Sequence, residues 1–230
     1  MDVLSGPTFP GFGALPEESE LSLFYYGEGA DGVTYSPRIA WALIGEITSD
    51  AKFMRPEVRL TDSTGERNVH VAWYHDPDEV SSFKPERLRV GTTLVVMHPR
   101  RKTFLDMTDG IRQESLKACW VFNAPFAAVR TEAAQLLGAA DARALGGSRA
   151  CFGCGGIDTP AARHSACSKC SLAVYCSQTC QRTRWAVHKR LCGDAERLLR
   201  LAALPRHKFD FSKHGFLSME SLPPYAPPTL

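Results

Sequence analysis

Residues 151–192 read CFGCGGIDTPAARHSACSKCSLAVYCSQTCQRTRWAVHKRLC, and this stretch decides how the rest of the chain is read. It holds seven of the eight cysteines of the 230-residue chain. With His188 they form four pairs: Cys151-x2-Cys154, Cys167-x2-Cys170, Cys176-x3-Cys180 and His188-x3-Cys192. Eight thiol and imidazole donors suit two tetrahedral zinc sites, because zinc has no redox chemistry and accepts four-fold sulfur and nitrogen coordination. An x2 pair on a tight turn aims two sulfurs at one metal, and Gly153 and Ser168-Lys169 stand where such turns bend. An x3 pair is i,i+4 and shares one face of a helix. An even cysteine count also suits disulfides in a secreted chain, but this clustering points to metal.

The helix restricts the pairing. If Ser177 caps one helix through Leu191, Cys180 and His188 stand about 12 Å apart along it, at about 1.5 Å per residue. Zinc–ligand bonds are only about 2.0–2.3 Å. The third and fourth pairs therefore cannot share a metal. The sites must interleave, either first with third and second with fourth, or first with fourth and second with third. Spacing alone leaves both open. All four positions at each site are filled by protein, so the zincs are expected to be structural.

The run Val174-Tyr175-Cys176-Ser177-Gln178-Thr179-Cys180-Gln181, followed by Trp185, His188-Lys189 and Cys192, resembles a MYND-type zinc finger. RING and PHD patterns fit less well, since they usually end on a CxxC pair. The resemblance implies the first pairing. Cys151, Cys154, Cys176 and Cys180 would hold one zinc, and Cys167, Cys170, His188 and Cys192 the other. It also implies a protein-interaction module that takes proline-containing peptide segments, with Ser168, Gln181 and Trp185 along the peptide groove. Two zinc ions are thus the expected cofactors.

Working outward, the chain divides into five stretches. Residues 1–34, rich in Pro and Gly with the acidic run Glu17, Glu18, Glu20, read as a flexible arm. Its apolar patch, Leu21 to Tyr26, is a candidate docking element. Residues 35–125 carry short runs of strand type: Ile39 to Ile47 interrupted by Gly45, Val58–Leu60, Val69–Trp73, Leu94–Met97, Phe104-Leu105 and Cys119–Phe122. Asp62-Ser63-Thr64-Gly65 is a turn signal. This order is similar to an OB-fold. Residues 126–148 read as a connecting helix, with Val129, Ala133, Leu136 and Leu137 at helical spacing and Gly146-Gly147 as its stop. The finger takes 149–194. Residues 195–230 form a helix and a proline-rich tail, Pro223 to Pro228, of polyproline character. The expected fold class is α+β, a small antiparallel OB-like β-barrel followed by a two-zinc finger with short helices.

Charge is uneven. Residues 1–147 carry net −5 and residues 148–208 net +8, within a total of +2. Arg182, Arg184, Lys189, Arg190, Arg197 and Arg200 make a basic helical face suited to an acidic partner. An OB-like domain would also admit single-stranded nucleic acid, stacked on Trp41, Trp73, Tyr74 and Phe104 beside Arg100, Arg101 and Lys102. That is the alternative to an adapter or regulatory protein that binds other proteins. No enzyme is expected. A Gly-rich phosphate loop and the Asn-His-Ser-Cys type motif of SET methyltransferases are both absent from the sequence, and Cys119 in an apolar strand reads as inert. No secretory leader and no run of eighteen apolar residues is present, so an intracellular protein of nucleus or cytoplasm is expected, with no membrane partner.

Overall fold

The computed structural model describes residues 2–29, 31–51, 55–211 and 216–228. Parts of the expected arm and tail therefore lie outside the described residues. The first nine strands are β1 (Tyr26–Glu28), β2 (Tyr35–Pro37), β3 (Ala42–Ala51), β4 (Glu57–Asp62), β5 (Val69–Trp73), β6 (Thr93–Met97), β7 (Arg101–Thr103), β8 (Asp109–Gln113) and β9 (Cys119–Phe122). There follow α1 (Phe126–Ala144), β10 (Ser165–Ala166), β11 (Val174–Tyr175), α2 (Gln178–Leu191) and α3 (Ala195–Ala203). The fold class is α+β.

Residues 4–121 and 208–222 make one compact unit. Its frame is a seven-stranded sheet in the order β7-β8-β5-β4-β3-β6-β9. Pairings β3–β4, β3–β6, β4–β5 and β7–β8 are antiparallel, whereas β5–β8 is parallel. β6 is buried throughout and β3 nearly so from Ala42 to Ile47, as a sheet covered on both faces requires, while Thr48 to Asp50 of β3 are exposed. β4 keeps strict alternation of half-exposed and buried residues.

The expected barrel does not form; the sheet stays open. The outer edge of β7 is met by the N-terminal segment and not by β9. Arg101 N–H donates to Pro16 O (2.8 Å) and Glu18 N–H to Arg101 O (2.8 Å). Ion pairs of Arg101 with Glu17 and Lys102 with Glu18 hold this edge. Arg101–Thr103, which no apolar run marks in the sequence, is thus an edge strand. Asp109–Gln113, outside the strand-type runs of the sequence, is a full strand.

Residues 4–28 are likewise no loose arm. Leu4, Phe9, Phe12, Leu15, Tyr25 and Tyr26 are buried. Asp62 explains part of this order. Its carboxylate, 3% exposed, accepts from Phe12 N–H (2.7 Å), Thr64 N–H (2.8 Å) and Glu66 N–H (2.9 Å). One buried acid therefore closes the Asp62–Gly65 turn and ties the N-terminal segment to it. Tyr25 and Tyr26 pack on Trp41 at ring distances of 4.8 and 5.5 Å. Of the proposed apolar patch, Leu21, Leu23 and Phe24 remain exposed.

Residues 2–3, 122–207 and 223–228 make the second unit. The helix expected as a connector belongs here, packed against α2 and α3. It stops where Gly146 turns to φ 69° and Gly147 N–H donates to Ala142 O (2.7 Å), a glycine C-cap. The tail folds back on this helix. Tyr225 Oη donates to Asp141 (2.6 Å), and Arg206 donates to both Asp141 oxygens (2.6 and 2.7 Å) and to Ala226 O (3.4 Å). Among the described residues, no helix is long and apolar enough to cross a membrane.

Among the described strand glycines, Gly45 has the least room. A Cβ there would stand 2.4 Å from Leu60 Cδ1 and 2.6 Å from the Thr61 carbonyl oxygen. Gly45→Ala should therefore force β3 and β4 apart and cost about 1–3 kcal/mol by overpacking. Urea unfolding should show a lowered midpoint; an unchanged midpoint would mean that β4 yields freely.

Candidate metal centre

Each x2 pair sits on a knuckle built by backbone bonds. Gly155 N–H donates to Cys151 O (2.8 Å), and Ser171 N–H donates to Cys167 O (2.8 Å). The residue four past the first cysteine takes a left-handed conformation in both: Gly155 at φ 74° and Ser171 at φ 58°. Gly153 is required by close approach. A Cβ on it would lie 2.6 Å from Cys180 Cβ and 2.9 Å from Cys180 O. The second knuckle ends the β10–β11 hairpin, whose partner strands run antiparallel. Cys167 N–H donates to Ala173 O (2.8 Å), and Phe152 N–H donates to Val174 O (2.9 Å), so the two knuckles share β11 and its approach.

The x3 pairs flank and ride the helix as the spacing requires. Ser177 Oγ accepts from Cys180 N–H (3.2 Å) and caps α2. Cys180 enters on the first turn and His188 on the last full turn, with Cys192 just beyond.

Two donor groups result. Cys151, Cys154, Cys176 and Cys180 form one, and Cys167, Cys170, His188 and Cys192 the other; within each, all ligand atoms lie within 4.8 Å of one another. This is the first-with-third, second-with-fourth pairing. Cys154 Sγ stands 3.7 Å from Cys176 Sγ, and Cys176 Sγ 3.5 Å from Cys180 Sγ. In the second group Cys167 Sγ is 3.9 Å from Cys192 Sγ, and Cys170 Sγ is 3.7 Å from His188 Nε2. Zinc–sulfur bonds of about 2.3 Å at tetrahedral angles separate sulfurs by about 3.8 Å. The donor sets therefore fit zinc in both number and spacing.

Local electrostatics favour the thiolate at Cys151 and Cys170, whereas the neighbouring thiols push Cys176, and burial pushes Cys192, up to about 12. Burial pushes the Cys151 thiol up, but N–H groups of Cys154, Cys176 and Gly153 outweigh it and hold it at about 6. Burial likewise pushes Cys170 up, and the His188 imidazole with the N–H groups of Ala173 and Leu172 brings it to about 6. The eighth cysteine lies outside both donor groups. Burial pushes the Cys119 thiol up to about 12, which keeps it neutral in the core.

The three residues expected along a peptide groove are all at the finger surface. Ser168 is exposed on the second knuckle. Gln181 and Trp185 are i,i+4 on α2 and share one face. Trp185 is 42% exposed, with its ring centroid 6.0 Å from that of His188. The basic helical face is partly spent on internal pairs: Arg184 with Glu132, Arg197 with Asp194 and Arg200 with Glu196. Glu132 itself was not singled out from the sequence. It is buried on α1 and contacts His188 Nδ1 at 2.7 Å. A carboxylate inside the apolar stripe Val129–Ala133–Leu136 was the available signal.

Residues 151–192 match the family model of the MYND finger. The match begins and ends on Cys151 and Cys192, the outermost donors of the two sites. It covers under one fifth of the chain, and it identifies this segment rather than the whole protein. The segment is a zinc-binding MYND finger with room for two zinc ions.

A segment this short has little apolar core, so each zinc should supply about 10 kcal/mol or more of its folding free energy. Cys176→Ala should leave at most one zinc per chain and erase native near-UV signal from the finger aromatics. Two retained zincs with an unchanged near-UV spectrum would contradict this.

Proposed function

We propose that the MYND finger of residues 151–192 docks extended, proline-containing segments of other proteins, which makes the chain an adapter or regulatory protein. A MYND finger is a protein-interaction domain; the peptide class is the added step. The observation that supports it is the exposure of Trp185. An indole face is costly to leave in water, and it offers a flat apolar platform for a proline ring. Gln181, on the same helical face, has an amide suited to the free backbone of an extended peptide. Ser168 on the neighbouring knuckle would add a hydroxyl to the same surface.

Both zinc groups have four protein donors, so each tetrahedron is complete without water or substrate. We therefore read the metals as structural and the protein as a non-enzyme. Reduced cysteine ligands suit the nucleus or cytoplasm, where thiols are kept reduced. The single-stranded nucleic-acid reading has less in its favour. Trp41 and Trp73 are buried in the sheet unit, and Arg101 and Lys102 pair with Glu17 and Glu18.

The test is fluorescence anisotropy with a labelled Pro-x-Leu-x-Pro peptide and the full chain. Trp185→Ala should weaken binding tenfold or more, with both zincs retained and little dependence on salt. Equal binding by wild type and variant would refute the groove. Affinity that instead falls steeply with salt for a single-stranded oligonucleotide would favour the nucleic-acid reading.

A further inference from the structure

Glu132 lies on α1, outside the finger segment, and is wholly buried. A buried carboxylate is costly unless each oxygen finds a donor. Here both do. Oε1 stands 2.7 Å from His188 Nδ1, and Oε2 stands 3.2 Å from Arg184 Nη2. We propose that Glu132 is a positioning residue for the second zinc site, and that α1 is thereby a working part of the finger.

The chemistry follows from the donor inventory. An ionised carboxylate only accepts, so the proton between Glu132 and His188 sits on Nδ1. That choice of tautomer leaves the Nε2 lone pair free toward the cysteine sulfurs, where Cys170 Sγ lies 3.7 Å away. A ligating histidine held through its other nitrogen is fixed in ring orientation and gains basicity. The carboxylate's charge is offset as well. Three thiolates and one zinc carry −1, and Glu132 adds another. Arg184, one helical turn before His188, supplies the compensating cation at the second carboxylate oxygen.

The same helical face reaches the other site. Gln135 is one turn beyond Glu132 and donates from Nε2 to Phe152 O (3.1 Å), within the first knuckle. Its Oε1 accepts from Arg184 Nη2 (3.3 Å). One turn of α1 thus holds an imidazole of one site and a backbone carbonyl of the other. This inference goes beyond peptide docking and stands whether or not the groove takes proline.

The experiment is zinc release from the full chain into excess chromogenic chelator, with cobalt-substituted protein examined in parallel. In Glu132→Ala, one of the two metals should leave about 10–100-fold faster and the other at its wild-type rate. Glu132→Gln keeps the shape and an acceptor for Nδ1–H, so it should restore part of the lost lifetime. The cobalt d–d bands of the three-sulfur, one-nitrogen site should move, while those of the four-sulfur site stay. Val129→Ala, a cavity variant on the same helix, serves as the comparison for general loosening. If Glu132→Ala does not fold, Glu132→Gln carries the test, with faster release at the histidine site alone. Wild-type release of both metals, or equal acceleration of both as in Val129→Ala, would overturn the proposal.

Discussion

Thiolate–metal bonding is the interaction on which the finger depends. Within residues 151–192 the buried apolar side chains beyond the ligands reduce to Phe152, Ala173, Val174, Tyr175 and Leu191. That is too little surface to offset the entropy of ordering the segment. The backbone instead wraps two donor tetrahedra. Knuckle bonds, the β10–β11 hairpin and the Ser177 cap all place sulfur or nitrogen within a few ångströms of a common point. Interleaving then makes the sites interdependent, since each tetrahedron joins a knuckle to a helical pair further along the chain.

Much of this was legible in the sequence because it is local. Ligand spacing, the Ser177 cap, the i,i+4 pairs and the Gly146-Gly147 stop all act within a few residues. The strands β3 to β6 announced themselves by apolar runs and turn signals. What stayed hidden is long-range. The parallel pairing of β5 with β8 brings together residues such as Trp73 and Gln113, and no periodicity reports it. β8 itself carries Asp109, Gly110 and Arg112, of which Gly110 is buried beside β5 while Asp109 and Arg112 stay exposed, so its composition gives little strand signal. The N-terminal segment looked loose from its Pro and Gly content. It is ordered because Asp62 and the edge of β7 supply partners more than forty residues away.

Glu132 shows the same limit in the site. Its neighbours Val129, Ala133 and Leu136 describe an ordinary apolar stripe, and a charge among them looks like an exception. The exception is resolved only when α2 brings His188 and Arg184 against it. The family match begins at Cys151, yet α1 contacts a ligand of one site through Glu132 and the first knuckle, at the Phe152 carbonyl, through Gln135. The physical module therefore begins earlier than the motif. The tail extends it further, since Tyr225 and Arg206 converge on Asp141 near the other end of the same helix.

The central claim, two interleaved zinc sites of unequal composition, is tested most directly by zinc K-edge absorption fine structure on the purified full chain with its metal content measured. Seven sulfurs and one nitrogen shared by two metals give a mean shell of 3.5 sulfurs and 0.5 nitrogen per zinc. The expected result is two zincs per chain with that shell, at zinc–sulfur distances of about 2.3 Å. A single zinc per chain, or a shell dominated by oxygen and nitrogen, would contradict it.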